Sequence, residues 1–360
     1  MKQITLGTTG ITVPQNAFGA LPIQRVSADE AVRLLRRARE GGMRFFDTAR
    51  AYTDSEEKLG LAFGGQWDGL YVATKTAAKT PEALRADLET SLRLLKRDCI
   101  DIYQFHMAGQ CYRPGDGTGM YEAMLEAKAQ GKIRHIGITA HKIGVAEDII
   151  ASGLYETLQY PFSYLSTPRE AALAESCRKA NMGLIAMKAL AGGLVTNADA
   201  AFAYIAQYDN VLPIWGIQRP EELGQWLGFF RTPASLTPEL RSFIEKERSE
   251  LTGEFCRGCG YCMPCPVGIG NCLPCPAGIQ INQCARISLM IRRAPSESWL
   301  APAMQAEMEK IEHCLGCGQC KSRCPYELDT PNLLKRNLAD YRRILAGEVS
   351  TESYLRPAQK

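Results

Sequence analysis

The sequence predicts a closed (β/α)8 barrel over residues 1–236, followed by a small, mainly helical domain over residues 237–360. Three observations carry this. About eight strand–helix units alternate within roughly 210 residues, each an apolar run followed by an amphipathic helix, as a parallel sheet covered on its faces requires. Eight units at this length suit a closed barrel better than an open sheet, and no G-x-G-x-x-G turn follows the first strand, as a doubly wound dinucleotide fold would use. Lastly, eleven of the 14 cysteines lie between Cys256 and Cys324, so a cysteine-poor body is joined to a cysteine-dense tail.

The 360 residues are 22% charged and 46% hydrophobic, an ordinary globular composition, and a formal charge of +3 gives no case for nucleic acid or a membrane surface. No basic segment followed by an apolar core opens the chain, and no apolar run approaches the roughly 18 residues of a membrane span. A cytoplasmic, reducing setting is expected, where clustered cysteines point to metal rather than disulfides.

In order, ITLG and ITVP flank Thr8, Thr9 and Gly10 as a hairpin closed by Pro14. AFGAL is the first barrel strand. SADEAVRLLRRAREGG is a helix capped by Ser27 and Glu30 and ended by Gly41. Strands RFFD, LYVATK, IDIYQFH and IRHIGIT alternate with helices SEEKLGLAF, TPEALRADLETSLRLLK, MYEAMLEAKAQG and GVAEDIIASG. Strands ETLQY, GLIAMK and VLPIWGI alternate with helices TPREAALAESCRKAN, DAAFAYIAQYD and RPEELGQWL. A charged helix capped at Thr237 leads into the tail with no Gly/Ser or Pro-rich linker, which suggests a docked tail rather than a tethered one.

In such a barrel, chemistry collects where strands end. Asp47 ends the second strand, with Tyr52 in the loop after it; Lys75 ends the third and His106 the fourth. A charge at the end of an apolar strand is costly unless paired, and Asp47 and Lys75 are natural partners. A tyrosine of pKa about 10 exchanges protons poorly at neutral pH, and a neighbouring ammonium is expected to lower it. His106 would donate a hydrogen bond to orient a carbonyl. Singly, these are a structural ion pair, a core histidine and a loop tyrosine; four on one rim read as a proton-transfer site. The glycine-rich loop CYRPGDGTG (111–119), after His106, is a candidate pocket wall.

FDTARAYTDSEEKLG resembles the FDTAxxYgxSE signature of the aldo-keto reductase family, and LYVATK, DLETSLRLLKRDCIDIYQFH and IRHIGIT also fit its pattern. The resemblance covers roughly residues 1–230. It implies a (β/α)8 barrel that reduces a small carbonyl substrate with NADP(H) or NAD(H), with Asp47, Tyr52, Lys75 and His106 as the catalytic tetrad and Tyr52 as general acid. It also implies carboxamide contacts at Thr139 and Gln159, although Thr139-Ala140-His141 stands where the family has Ser-Asn, and Ser163 where it has Asn. AMKALAGGL (186–194), with Lys188, resembles the loop over the pyrophosphate. IWGIQRPEELGQW (214–226), with Gly216 and Arg219, resembles the adenosine-phosphate segment, but ends Gln225-Trp226 instead of Glu-Asn. Arg219 could meet a 2′-phosphate, which favours NADP.

In the tail, Cys314-x2-Cys317-x2-Cys320-x3-Cys324-Pro has the bacterial ferredoxin spacing, in which three thiolates hold one [4Fe–4S] cluster and the fourth serves another. Zinc would need only paired C-x2-C units. FCRGCGYCMPCPVGI supplies a partner run of Cys256, Cys259, Cys262 and Cys265. This resembles aldo-keto reductases fused to a ferredoxin-like domain with two [4Fe–4S] clusters. By the ferredoxin rule one cluster takes Cys256, Cys259, Cys262 and Cys324, the other Cys314, Cys317, Cys320 and a Cys-Pro of the first run. Residues 262–271 and 272–281 are a tandem copy identical at six of ten positions, so Cys265 and Cys275 both qualify; Cys265 is preferred for its short spacing. Cys272 and Cys284 are left over, and Cys99, Cys111 and Cys177 read as packing residues.

Hydride moves two electrons and each cluster one, so coupling them needs a mediator such as flavin, for which the sequence has no fingerprint. The leading expectation is a carbonyl reductase, or alcohol dehydrogenase in reverse, whose clusters brace the tail. The alternative is an electron-transfer module serving a ferredoxin-like partner.

Overall fold

The computed structural model describes residues 1–193, 195–251, 255–257, 262, 275–291, 297–324, 326 and 328–349, in two compact units, 1–244 and 245–360. In the first unit, β1 (Gln3–Thr5) and β2 (Thr12–Pro14) form the expected antiparallel hairpin. Gly7 lies between them at φ +54°, where an added Cβ would meet the Asn181 carbonyl at 2.5 Å, so only glycine lets the hairpin approach the barrel wall. Ile4, Leu6, Ile11 and Val13 pack against Ala17 and Phe45, which open two of the barrel strands, and so plug the N-terminal end of the barrel.

Eight parallel strands close that barrel: β3 (Ala17–Gly19), β4 (Phe45–Asp47), β5 (Tyr71–Thr76), β6 (Ile100–Phe105), β7 (Ile133–Thr139), β8 (Thr157–Pro161), β9 (Gly183–Met187) and β10 (Val211–Gly216). Each neighbours the next in sequence, and β10 pairs with β3. The helices between them are α1 (Ala28–Glu40), α2 (Ser55–Phe63), α3 (Pro81–Leu95), α4 (Met120–Ala129), α5 (Ile143–Ser152), α6 (Pro168–Lys179) and α7 (Ala198–Ala206), with α8 (Pro220–Arg231) after β10. The predicted capping box at Ser27–Glu30 forms, as does a second at Thr167–Glu170. The charged helix, α9 (Pro238–Leu251), runs across the division at residue 244.

The described part of the second unit is helical: α10 (Ile281–Cys284), α11 (Ile287–Ile291), α12 (Glu297–Leu300), α13 (Pro302–Glu309), α14 (Gln319–Ser322) and α15 (Thr330–Leu345). Leu334, Leu338, Tyr341 and Ile344 recur along one face of α15 and are buried in the core of this unit, as helical spacing requires. Polar ties hold the short helices to α15: Asn337 donates to the Cys284 carbonyl at 2.9 Å and Tyr341 to the Trp299 carbonyl at 2.8 Å. Among the described residues, no helix is long and apolar enough to cross a membrane.

Candidate active site and metal centre

Register brings the polar groups of the first unit to one level at the C-terminal ends of the strands. Asp47 pairs with Ala73, Lys75 with Gln104, Gln104 with Gly137, and Thr139 with Gln159. The Lys75 ammonium donates to Asp47 Oδ1 at 2.7 Å and to the Thr48 carbonyl at 2.5 Å. Both charged groups are fully buried, so each is tolerated only because the other is present. Lys75 Nζ also lies 5.1 Å from the centre of the Tyr52 ring, and Tyr52 meets His106 edge-on with ring centres 5.7 Å apart. All four residues expected at the rim come together.

Their electrostatics depart from expectation at one point. The ammonium beside Tyr52 does pull its pKa down, but burial outweighs it, and the phenol is held above its ordinary value. Tyr52 is therefore a protonated group at neutral pH, a donor rather than a phenolate. Burial, aided by the charges of Lys75 and Lys79, pushes His106 down to about 3, leaving a neutral imidazole with one N–H to give. Burial also raises Asp47, against the pull of Lys75.

Gln104, Glu56 and Arg50 were not singled out in the sequence, and Gln159 was expected only as a carboxamide contact. Gln104 donates to Gln159 Oε1 at 2.9 Å, and Gln159 in turn donates to Asp47 Oδ1 at 3.4 Å, extending the ion pair into a polar chain across the barrel. Buried Glu56 accepts from Thr74 at 2.6 Å and pairs with Arg50, fixing the start of the loop that carries Tyr52. An inward polar residue on an apolar strand, such as Gln104 in IDIYQF, was the available clue.

The nicotinamide positions give a mixed result. Thr139 accepts from the Met107 amide at 2.7 Å while its carbonyl accepts from Ala108 at 2.8 Å, so it ties down the loop after His106 and still has its own hydroxyl proton to give. Gln159 is engaged at both ends of its amide. Lys188 has φ +54° and opens a turn closed by the Ala191 amide at 2.6 Å, followed by Gly192 and Gly193 at positive φ. Gly216 ends β10 in an exposed position. Arg219 already donates from two nitrogens to Glu222 Oε1, at 2.9 and 2.6 Å. Trp226 is a core residue, stacked on Trp215 with ring centres 3.9 Å apart. Buried acceptors Asp47 Oδ2 and Gln104 Oε1 have no protein donor, which fits a site that receives a ligand's N–H groups. The strand-end residues thus fit a nicotinamide cofactor, while Arg219 adds no argument for a 2′-phosphate.

In the second unit, Cys314, Cys317 and Cys320 line one cavity together with Cys262 and Cys275. Cys324 and Cys256 pack against the neighbouring core. Cys259, Cys265 and Cys272 lie outside the described residues. Among the described residues no three thiol, imidazole or carboxylate groups converge on a single metal-binding point. The donor set still fits iron–sulfur chemistry: thiols alone, against apolar walls such as Ile279 and Leu334.

Residues 3–201, more than half of the chain, match the model of the aldo/keto reductase family, and residues 255–329 match that of a 4Fe-4S dicluster domain. Aldo-keto reductase str7 of Strobilurus tenacellus is 28% identical over 210 residues, 54% of this chain and 60% of that protein. Methylglyoxal reductase DkgB of Salmonella typhi is 35% identical over 150 residues, 39% of this chain and 53% of that protein. The chain thus spans little more than half the length of these curated relatives. Among solved structures, an aldo-keto reductase from Bacillus halodurans in its holo form aligns with a TM-score of 0.60 at 21% identity, covering 68% of this chain and 96% of that one. One from Klebsiella pneumoniae in complex with NADPH gives 0.58 at 22%, covering 68% and 95%.

Proposed function

The chain belongs to the aldo/keto reductase family and carries a 4Fe-4S dicluster domain, and from that premise we propose that its barrel reduces a small carbonyl compound with NADPH or NADH, Tyr52 supplying the proton. The observation that carries this reading is the buried Lys75–Asp47 pair directly behind a Tyr52 phenol that burial keeps protonated. A bound dihydronicotinamide would supply the hydride to the carbonyl carbon. The neutral His106 imidazole donates its N–H to the carbonyl oxygen and orients it beside Tyr52. As charge builds on that oxygen, the Tyr52 O–H passes its proton across, and the Lys75 ammonium stabilises the phenolate left behind. Asp47 holds Lys75 in place, Gln159 and Gln104 hold Asp47, and solvent returns the proton to Tyr52. Thr139 and Gln159 would contact the carboxamide, the Lys188–Gly193 turn and Gly216 the rest of the cofactor.

In the tail, Cys256, Cys259, Cys262 and Cys324 would hold one [4Fe–4S] cluster, and Cys314, Cys317 and Cys320 three corners of a second. The experiment is turnover of a carbonyl panel with NADPH and with NADH, in the native chain and in Tyr52→Phe. Oxidation of the nicotinamide that depends on carbonyl and on Tyr52 supports the reading; full turnover in Tyr52→Phe removes it. Exposed Cys317 and Leu315, the latter 71% exposed, favour a second reading, in which the tail exchanges single electrons with a ferredoxin-like partner. Reduction of the clusters by a reduced ferredoxin, faster than by dithionite at equal potential, is its test.

A further inference from the structure

The tandem copy poses a choice between two Cys-Pro pairs, and the fold of the tail distinguishes them. The segment that begins at Cys324 is a reference: it leads from a Cys-Pro into α15, burying its fifth residue, counting the cysteine as the first, Leu328, at 3% exposure and its seventh, Thr330, at 4%. The segment that begins at Cys275 repeats this. Its fifth residue, Ile279, is 3% exposed, its seventh, Ile281, is 4% exposed, and it leads into α10. The residues just before the two helices share one backbone conformation, Gln280 at φ −76°, ψ 74° and Asp329 at φ −74°, ψ 71°. The two exits are thus pseudo-equivalent, as the two halves of a dicluster domain are when each sends its last thiolate to the other's cluster.

Cys265 lacks such an exit in sequence. Its fifth residue, Ile269, matches, but its seventh is the amide Asn271 where the two exits bury Ile281 and Thr330, and another Cys-x2-Cys-Pro begins at once. Cys275, moreover, already lines the cavity of Cys314, Cys317 and Cys320. Cys262 lines it too, but as the third thiol of the first triad it belongs to the other cluster.

We infer that Cys275, not Cys265, is the fourth thiolate of the cluster held by Cys314, Cys317 and Cys320. Cys265 and Cys272 then stand outside both ligand sets, and the repeat is an insertion between the third and fourth ligands of the first run. Cys284 stands outside as well: it is fully buried, its thiol faces the Glu307 carbonyl at 4.0 Å, and it does not line the cavity of the other thiols.

This inference rests on the two-cluster reading of the tail, and one set of samples separates the two. The full chain and its Cys265→Ser and Cys275→Ser variants are loaded anaerobically with iron and sulfide. Iron and sulfide per chain are measured, with EPR of the oxidised and reduced states. Cys265→Ser is expected to match the native chain. Cys275→Ser is expected to lose about half of the iron, or to show the signal of a three-iron cluster when oxidised. A loss in Cys265→Ser, or none in Cys275→Ser, overturns the inference and leaves the two-cluster reading intact; a native chain that binds no iron overturns both. Alkylation of the loaded native chain gives a reading free of folding effects. Cys275 is expected to resist alkylation until the iron is stripped, and its labelling in the loaded protein contradicts the assignment.

Discussion

The barrel and the tail each gather reactive side chains, but by different means. In the barrel the buried charges satisfy one another: Lys75 is held by Asp47 and Thr48, Asp47 by Gln159, and Gln159 by Gln104. The site is organised before any ligand arrives, which is what electrostatic catalysis needs, since groups already oriented cost nothing to reorganise during reaction. In the tail, five described cysteines surround one cavity, yet no three described groups converge on a metal-binding point. A site of that kind is completed by its metal, and binding free energy then becomes folding free energy. The difference teaches where each half is vulnerable: the barrel to loss of one partner in a charged pair, the tail to loss of iron.

The largest expected effect breaks the barrel side alone. Tyr52→Phe keeps the ring beside His106 but removes the proton, and carbonyl-dependent nicotinamide oxidation should fall by about 10²–10⁴-fold. The iron content of the tail should not change, as iron analysis of the same sample would show. Next, Lys75→Met leaves Asp47 buried without its partner and should destabilise the first unit by about 3–5 kcal/mol in urea unfolding. Adding Asp47→Asn should restore part of that loss, because the uncompensated charge is gone.

A smaller effect follows from His106. Its folded pKa of about 3 lies below the unfolded value of about 6.5, so the unfolded chain binds the extra proton first. The stability it contributes is complete above the unfolded pKa and is lost as pH falls toward 3, at up to about 1.4 kcal/mol per unit. The unfolding midpoint of the native chain should fall relative to that of His106→Gln as the pH is lowered from 7 to 4. The smallest effect sharpens the contrast: stripping iron should melt helices of the tail in circular dichroism while barrel turnover changes by less than about two-fold. A parallel loss of turnover would show that the two halves are coupled.

The sequence made the barrel legible because alternating apolar runs and capped helices leave few other arrangements, and the β1–β2 hairpin and both ends of α1 fall where its turn and cap residues put them. Asp47, Lys75 and His106 stood out because ionisable residues at the ends of apolar strands are rare. What pattern alone could not convey was environment. Lys75 beside Tyr52 suggested a lowered phenol pKa, yet burial, a property of the folded barrel, decides the opposite. Nor does the pattern convey that the Arg219 guanidinium already donates to Glu222, one helical turn on. Trp226 stands where the family has Asn, and only the structure puts it against Trp215 in the core. In the tail, spacing pointed to eight thiolates and favoured Cys265 over Cys275; it carries no information on how the exits fold, on which the proposal for Cys275 rests.

The central claim is that the barrel performs hydride reduction of a carbonyl with Tyr52 as proton donor, independently of the clusters. An anaerobic titration of the iron-loaded chain with NADPH or NADH and then with a carbonyl substrate, following nicotinamide absorbance and cluster EPR in the same sample, tests it most directly. The account predicts nicotinamide oxidation only after the carbonyl is added, abolished in Tyr52→Phe, with the cluster signals unchanged. Reduction of the clusters by the nicotinamide alone, without added flavin, would contradict it.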